Sequence, residues 1–85
     1  SPKFQKELAH HTALGNNIRF SMYQILGEKE LCTCVLSELF DLKDATISHH
    51  LKILENAGLI VGVRKGQYTL YSTKEKMLRT LQSQA

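Results

Sequence analysis

Eighty-five residues, 42% of them hydrophobic and carrying a formal charge of +3, describe a small unit with a marginal core of its own and no room for an enzyme's deep cleft. The basic balance, with a pI near 9.0, suits a polyanionic partner, and the marginal core predicts a homodimer, whose charge would be 3 × 2 = +6. Two cysteines one residue apart make no secreted disulfide scaffold; with no signal-peptide pattern and no apolar run of about 18 residues, a cytoplasmic chain without a membrane span is expected.

The chain opens at Ser1 rather than at an initiator Met, which leaves room for residues upstream. Lys3 to Leu14 is predicted helical, with Phe4, Leu8 and His11 on one side. That stripe is thin, so this helix needs a partner. Gly15-Asn16-Asn17 breaks the chain, and Asn16 or Asn17 supplies an N-cap. Ile18, Met22, Ile25 and Leu26 then fall at i, i+4, i+7 and i+8, the spacing of a core-facing helix over Ile18 to Leu26. Arg19 lies off that stripe and reads as a solvated side chain before it reads as a phosphate contact. Gly27 ends the helix, and Glu28 to Leu31 reads as an extended link.

Val35 to Phe40 is predicted as a short helix, followed by the polar turn Asp41-Leu42-Lys43-Asp44 and a second helix up to Gly58. On that second helix Ile47, Leu51 and Leu54 share one apolar stripe. Asp44 is the candidate N-cap and Gly58 the left-handed C′ residue. The face opposite the stripe is small and polar. Thr46, Ser48, His49 and Lys52 lie there near the helix start, and these are side chains that donate to base edges or phosphates. His50 sits about 100° from His49 and nearer the stripe, which predicts a packed or interfacial ring and not a base contact. Neighbouring histidines on a helix point apart, so the pair is no metal motif.

A β-rich Leu59 to Val63, a Lys65-Gly66 turn and a β-rich Gln67 to Tyr71 predict a hairpin directly after this helix, that is, a wing. A two-residue turn at Lys65-Gly66 sets Val63 opposite Tyr68 and Val61 opposite Leu70, giving an apolar face to lie on the core; Lys-Gly is not the favoured Asn-Gly, and a bulged or longer loop would shift the register and the faces with it. Arg64 and Lys65 at the tip are candidates for the DNA backbone. Ser72 to Glu75 matches a capping box, and Met77, Leu78 and Leu81 follow on one face of a last helix that frays in Gln-Ser-Gln-Ala. With little to cover inside one chain, that face is predicted to meet its twin. No repeat, low-complexity tract or linker interrupts residues 1–85, which read as one domain.

Cys32-Thr33-Cys34 lies where the extended link meets the helix-turn-helix. Two thiolates at that spacing chelate a soft ion, oxidise reversibly, or simply fill a core as small apolar side chains. No motif assembles a nucleophile, base and oxyanion group, and the thiols lack Cys-x-x-Cys spacing, so no enzyme is expected.

Three segments resemble the ArsR/SmtB family of metal-responsive transcriptional repressors: Glu-Leu-Cys-Thr-Cys at 30–34, Thr-Ile-Ser-His-His-Leu-Lys-Ile-Leu-Glu-Asn-Ala-Gly-Leu-Ile at 46–60, and Val-Arg-Lys-Gly-Gln-Tyr-Thr-Leu-Tyr at 63–71. The resemblance runs from about Ala13 to Tyr71 in one register. It implies a mostly α winged helix-turn-helix with a small β-hairpin, dimerised through its N- and C-terminal helices by Phe4, Leu8, Met77, Leu78 and Leu81. It implies double-stranded operator DNA as partner, read by Thr46, Ser48, His49 and Lys52 and gripped by Arg64 and Lys65.

Residues 30–34 are similar to the family's Glu-Leu-Cys-Val-Cys-Asp-Leu metal motif, so the resemblance implies a thiophilic ion (zinc, cadmium, copper(I) or arsenite) at Cys32 and Cys34 that modulates operator affinity. Val35 stands where the motif has Asp, and Ser37 where some arsenic sensors have a third Cys. A three-thiolate arsenite site therefore cannot come from one chain. Relatives that bind cadmium or lead add ligands from the partner's first helix, which makes His10 and His11 the candidates here. The family's other site, on the last helix, uses Asp and His, and Ser72 to Ala85 has neither. The rival readings are a thiol-redox or ligand-independent regulator, and a winged-helix protein-interaction module whose duplex binding is weak and sequence-blind.

Overall fold

Helix ends are set by side chains that take up free backbone groups and by residues that tolerate left-handed backbone. In the computed structural model, which describes residues 1–84, α1 (Pro2–Leu14) stops before Gly15, and the Asn16 side chain caps α2 (Asn17–Leu26) by accepting from the amides of Ile18 at 2.9 Å and Arg19 at 3.1 Å. β1 (Leu31–Cys32) leads straight into α3 (Thr33–Phe40). Asp41, at φ 52°, closes α3, and a short turn reaches α4 (Asp44–Asn56). Gly58 takes φ 78° after α4, as the left-handed C′ position requires. β2 (Ile60–Lys65), β3 (Tyr68–Thr73) and α5 (Lys74–Ser83) complete the order.

Apolar spacing decides what these elements bury. Met22 and Leu26 of α2, Leu36 of α3, Ile47, Leu51 and Leu54 of α4 and Ile60 of β2 are fully enclosed around Ala13 of α1. Each such Leu, Ile or Met contributes about 1.5–3 kcal/mol by leaving water. Their common centre fixes α4 by its stripe while its other face stays outside. The architecture is the predicted one, mostly α with a small β element in a winged helix-turn-helix.

Five local expectations are corrected. The sheet has three strands, in the order β1-β3-β2, because part of the supposed link pairs antiparallel with β3, Leu31 opposite Tyr71 and Cys32 opposite Leu70. The hairpin turns at Gly66-Gln67, so Val63 faces Leu70 and Lys65 faces Tyr68, two residues off the predicted register. Gly66 at φ 61° takes the first loop position, where a two-residue hairpin loop needs positive φ. A shift of two keeps every side chain on its face, but the face on the core carries Ile60, Leu31 and Tyr71. Val61, Val63 and Leu70 are half-buried on the other face, and Val63 shares a groove of about 290 Å³ with Met77 and Leu81 of α5.

Both remaining corrections concern caps. Ser72 stays in its strand opposite Val61, 3% exposed, and Thr73 caps α5 by accepting from the Lys76 amide at 3.1 Å; α5 stays helical to Ser83, and only Ala85 of the predicted frayed end lies outside the described residues. Asp44 is the first residue of α4, not its cap, and its carboxylate accepts from the Ser37 hydroxyl. That bond ties the two helices of the helix-turn-helix together at the turn.

Candidate nucleic-acid interface and thiol site

A helix that buries one stripe leaves its other face to a partner. On α4, Ile47, Leu51 and Leu54 are at most 2% exposed and His50 is 9% exposed, whereas Thr46, Ser48, His49 and Lys52 are all exposed. None of those four side chains makes a hydrogen bond or ion pair among the described residues. The His49 ring lies beside the tilted His50 ring, centroids 5.9 Å apart. The four residues predicted to contact DNA thus share one uncovered, donor-bearing surface.

His50 is packed, as predicted, and Arg19 is not the solvated side chain the helical wheel suggests. Its guanidinium reaches the Ala13 carbonyl through Nε at 2.8 Å and the His50 Nδ1 through Nη1 at 3.2 Å. Burial first, then the Arg19 charge and His49, push the His50 imidazolium pKa below its ordinary value. A signal for Arg19 exists in the sequence. A basic side chain just after a helix break is in reach of the preceding helix's free carbonyls.

At the wing tip both predicted backbone contacts are engaged within the chain. Arg64 folds over the turn, its Nε donating to the Gly66 carbonyl at 3.0 Å, and Lys65 Nζ stands 3.5 Å from a Glu30 carboxylate oxygen. The lysine is 61% exposed, so this pair is weak and a phosphate competes with it readily. Glu30 was not foreseeable as a wing residue, since its place depends on β1 joining the sheet.

The thiols converge. Cys32 ends β1, Cys34 lies in the first turn of α3, both are free, and their sulfurs are 2.8 Å apart. The hydrogen bond from Cys34, and after it the Val35 amide, holds the Cys32 thiol below the usual thiol range, while the same bond raises Cys34. One proton shared between two sulfurs is the state a thiophilic ion displaces. An open hollow of about 270 Å³ beside them is lined by Asp44 at the start of α4 and by Gln67, Tyr68 and Thr69 of the wing.

His10 and His11 do not join the thiols within one chain, because no group of three or more His, Cys, Asp and Glu side chains suited to a metal ion occurs among the described residues. His11 is exposed, and His10 Nε2 is enclosed without a hydrogen-bond partner. Of the side chains predicted for a dimer interface, Phe4, Leu8, Leu78 and Leu81 are 63%, 54%, 51% and 56% exposed, and Met77 is half-buried. No helix is long and apolar enough to cross a membrane.

Residues 19–61, half of the chain, match the family model described as bacterial regulatory protein, arsR family. The chain belongs to the arsR family. It is similar to the arsenical resistance operon repressor of Bacillus subtilis, 33% identical over 74% of this chain and 60% of that protein. It is likewise similar to the CadC-homologue cadmium resistance regulatory protein of Staphylococcus aureus, 31% identical over 86% of this chain and 61% of that one. The chain thus spans about three fifths of these relatives. In fold it matches the homodimeric winged helix-turn-helix DNA-binding domain of Mb0332 from Mycobacterium bovis, with a TM-score of 0.81 at 18% identity, covering 98% of this chain and 82% of that one. The family so described is one of regulatory proteins, the class its sequence predicts.

Proposed function

We propose that this arsR-family chain is an operator-binding repressor that works as a homodimer and loses operator affinity when a thiophilic ion binds Cys32 and Cys34. The observation that carries the DNA reading is the split of α4 into a buried stripe and the open face of Thr46, Ser48, His49 and Lys52. A helix so anchored lies along a major groove, its first turns toward the bases, with Arg64 and Lys65 of the wing on the flanking phosphates. Phe4, Leu8, Met77, Leu78 and Leu81 would bury against the second copy, which sets two α4 helices about one DNA turn, ~10 bp, apart.

For the ion, support comes from the 2.8 Å approach of two free sulfurs and from relatives named for arsenical resistance and cadmium resistance. Two thiolates suit a soft ion, and with no third ligand beside them among the described residues they would hold copper(I) at low coordination, or zinc, cadmium or arsenite with ligands such as His10 or His11 from the second copy. The coupling follows from where the sulfurs sit. Cys32 is paired into the sheet that ends in the wing, and Cys34 opens the helix that Ser37 ties to Asp44 of α4. Moving one sulfur against the other moves wing and reading helix relative to each other.

The test starts with a duplex selected by the protein from a randomised pool. Reduced protein should bind it with log affinity falling linearly in log salt and release it on titration with cadmium, zinc, arsenite or copper(I). A Cys32→Ser/Cys34→Ser protein that releases DNA like the parent ends the sensing proposal, and purely sequence-blind binding ends the operator proposal. The same short approach favours one second reading, oxidation of the pair to a disulfide by a peroxide, in which two thiols lose two electrons and two protons and the peroxide becomes water. Release by peroxide but by no metal selects it.

A further inference from the structure

A dimeric reader must hold each recognition helix at a fixed angle to the element that pairs the subunits, or its two half-sites lose register. In this chain α1 and α4 pack directly through Ala13, and one cation also bridges them. Arg19 sits in the first turn of α2, its amide capped by Asn16, so its side chain starts from a fixed backbone. From there Nε takes the Ala13 carbonyl, in the last turn of α1, at 2.8 Å. Nη1 takes His50 Nδ1, on the buried side of α4, at 3.2 Å. His50 follows directly on Ser48 and His49 of the open face.

We infer that Arg19 is a positioning residue for DNA recognition, clamping the C-terminal end of α1 to the reading helix through His50 and so setting the spacing between half-sites that the dimer accepts. The planar guanidinium presents several donors in one fork and bridges the two acceptors at once, which a lysine cannot reproduce. A guanidinium only donates, so Nδ1 of His50 must be the lone-pair nitrogen and the ring neutral, its proton on Nε2. A proton on Nδ1 would set two cations face to face and break this bridge, leaving only the apolar packing to fix the angle between α4 and α1. The charged or titratable groups acting on the ring are Arg19 of α2 and His49 of α4, with no carboxylate among them to hold an imidazolium.

This inference rests on α4 reading DNA, and the experiment separates the two. The probes are the pool-selected duplex, the same duplex with its half-sites one base pair closer or farther, and a random duplex. Arg19→Lys should lose roughly ten-fold in affinity for the selected duplex, the usual size of a coupling between two elements, keep the random-duplex affinity and discriminate spacers poorly. Unchanged spacer discrimination in Arg19→Lys, or equal losses on all duplexes, overturns it. Should Arg19→Lys not fold, His50→Asn decides, since its amide oxygen keeps the acceptor near Nδ1 without a basic site. On acidification the parent should lose spacer discrimination where the His50 ring takes up its proton and His50→Asn should keep it; profiles that stay equal down to acid unfolding overturn the inference. If Ser48→Ala and His49→Ala also leave sequence preference untouched, it is the assignment of the reading face that has failed.

Discussion

Cys32 and Cys34 belong to different elements, the end of β1 and the first turn of α3, yet their sulfurs lie 2.8 Å apart and share a hydrogen bond. That bond lowers the Cys32 thiol pKa and raises that of Cys34, so of the two sulfurs Cys32 is the first to lose its proton. Alkylation followed by peptide mass analysis should therefore label Cys32 first. In Cys34→Ala the main cause of the lowering is gone, and the Cys32 rate profile should move to higher pH. Equal labelling of both thiols in the parent contradicts the shared proton.

The open face of α4 gives a second expectation. Ser48→Ala or His49→Ala removes a base-facing donor and should cost about 1–3 kcal/mol of discrimination between the selected duplex and one altered at the contacted base pair. Arg64→Ala and Lys65→Ala should instead weaken binding to every duplex and reduce the salt slope by about one unit each. Lys65→Ala also loses its Glu30 partner, but that exposed pair contributes little, so the melting temperature should hold. Fluorescence anisotropy over a salt series measures both effects, and a base-specific loss in Lys65→Ala contradicts the division of labour.

How much of this was legible beforehand depends on the range of the interaction. The α4 stripe was, because Ile47, Leu51 and Leu54 repeat at local helical spacing and local spacing suffices to pick the buried side. The left-handed Gly58 was legible for the same reason. The hairpin faces survived the register error, since alternation by two is indifferent to a shift of two, but the side on the core was misjudged. What turns that face inward is Ile60 joining the core and β1 pairing with β3, contacts made far along the chain. Arg19, Glu30 and the Ser37–Asp44 bond share this character, each needing a tertiary neighbour that no periodicity announces. The two thiols were legible as a pair; that Cys32 would belong to a sheet was not.

Acid should destabilise the fold through His50. Its folded-state pKa lies below the unfolded value near 6.5, so the folded state prefers the neutral ring. Stability from this group is complete above pH 6.5 and is lost as pH falls below it toward the folded pKa, because the unfolded chain binds the proton first. Denaturant midpoints at pH 7.5 and 5.5 should differ more in the parent than in His50→Asn. An equal difference in both would assign the acid sensitivity to other groups.

Exposed apolar side chains at the two ends of the chain set the last expectation. Phe4 and Leu8 of α1 and Leu78 and Leu81 of α5 are all more than half exposed, and α5 buries no residue of its own against the rest of the chain. Four such side chains left in water forgo roughly 1.5–3 kcal/mol each, which a second copy would recover. Sedimentation of the parent should report a dimer, and Leu8→Lys/Leu81→Lys, placing charges where those contacts form, a monomer. The monomer should keep its far-ultraviolet circular dichroism, because the enclosed cluster around Met22, Leu36 and Ile47 contains neither residue. Its affinity for the two-half-site duplex should fall toward that for a single half-site, since the second α4 is no longer tethered to the first. A parent that sediments as a monomer while binding the paired site as tightly as a tethered reader would contradict this assembly.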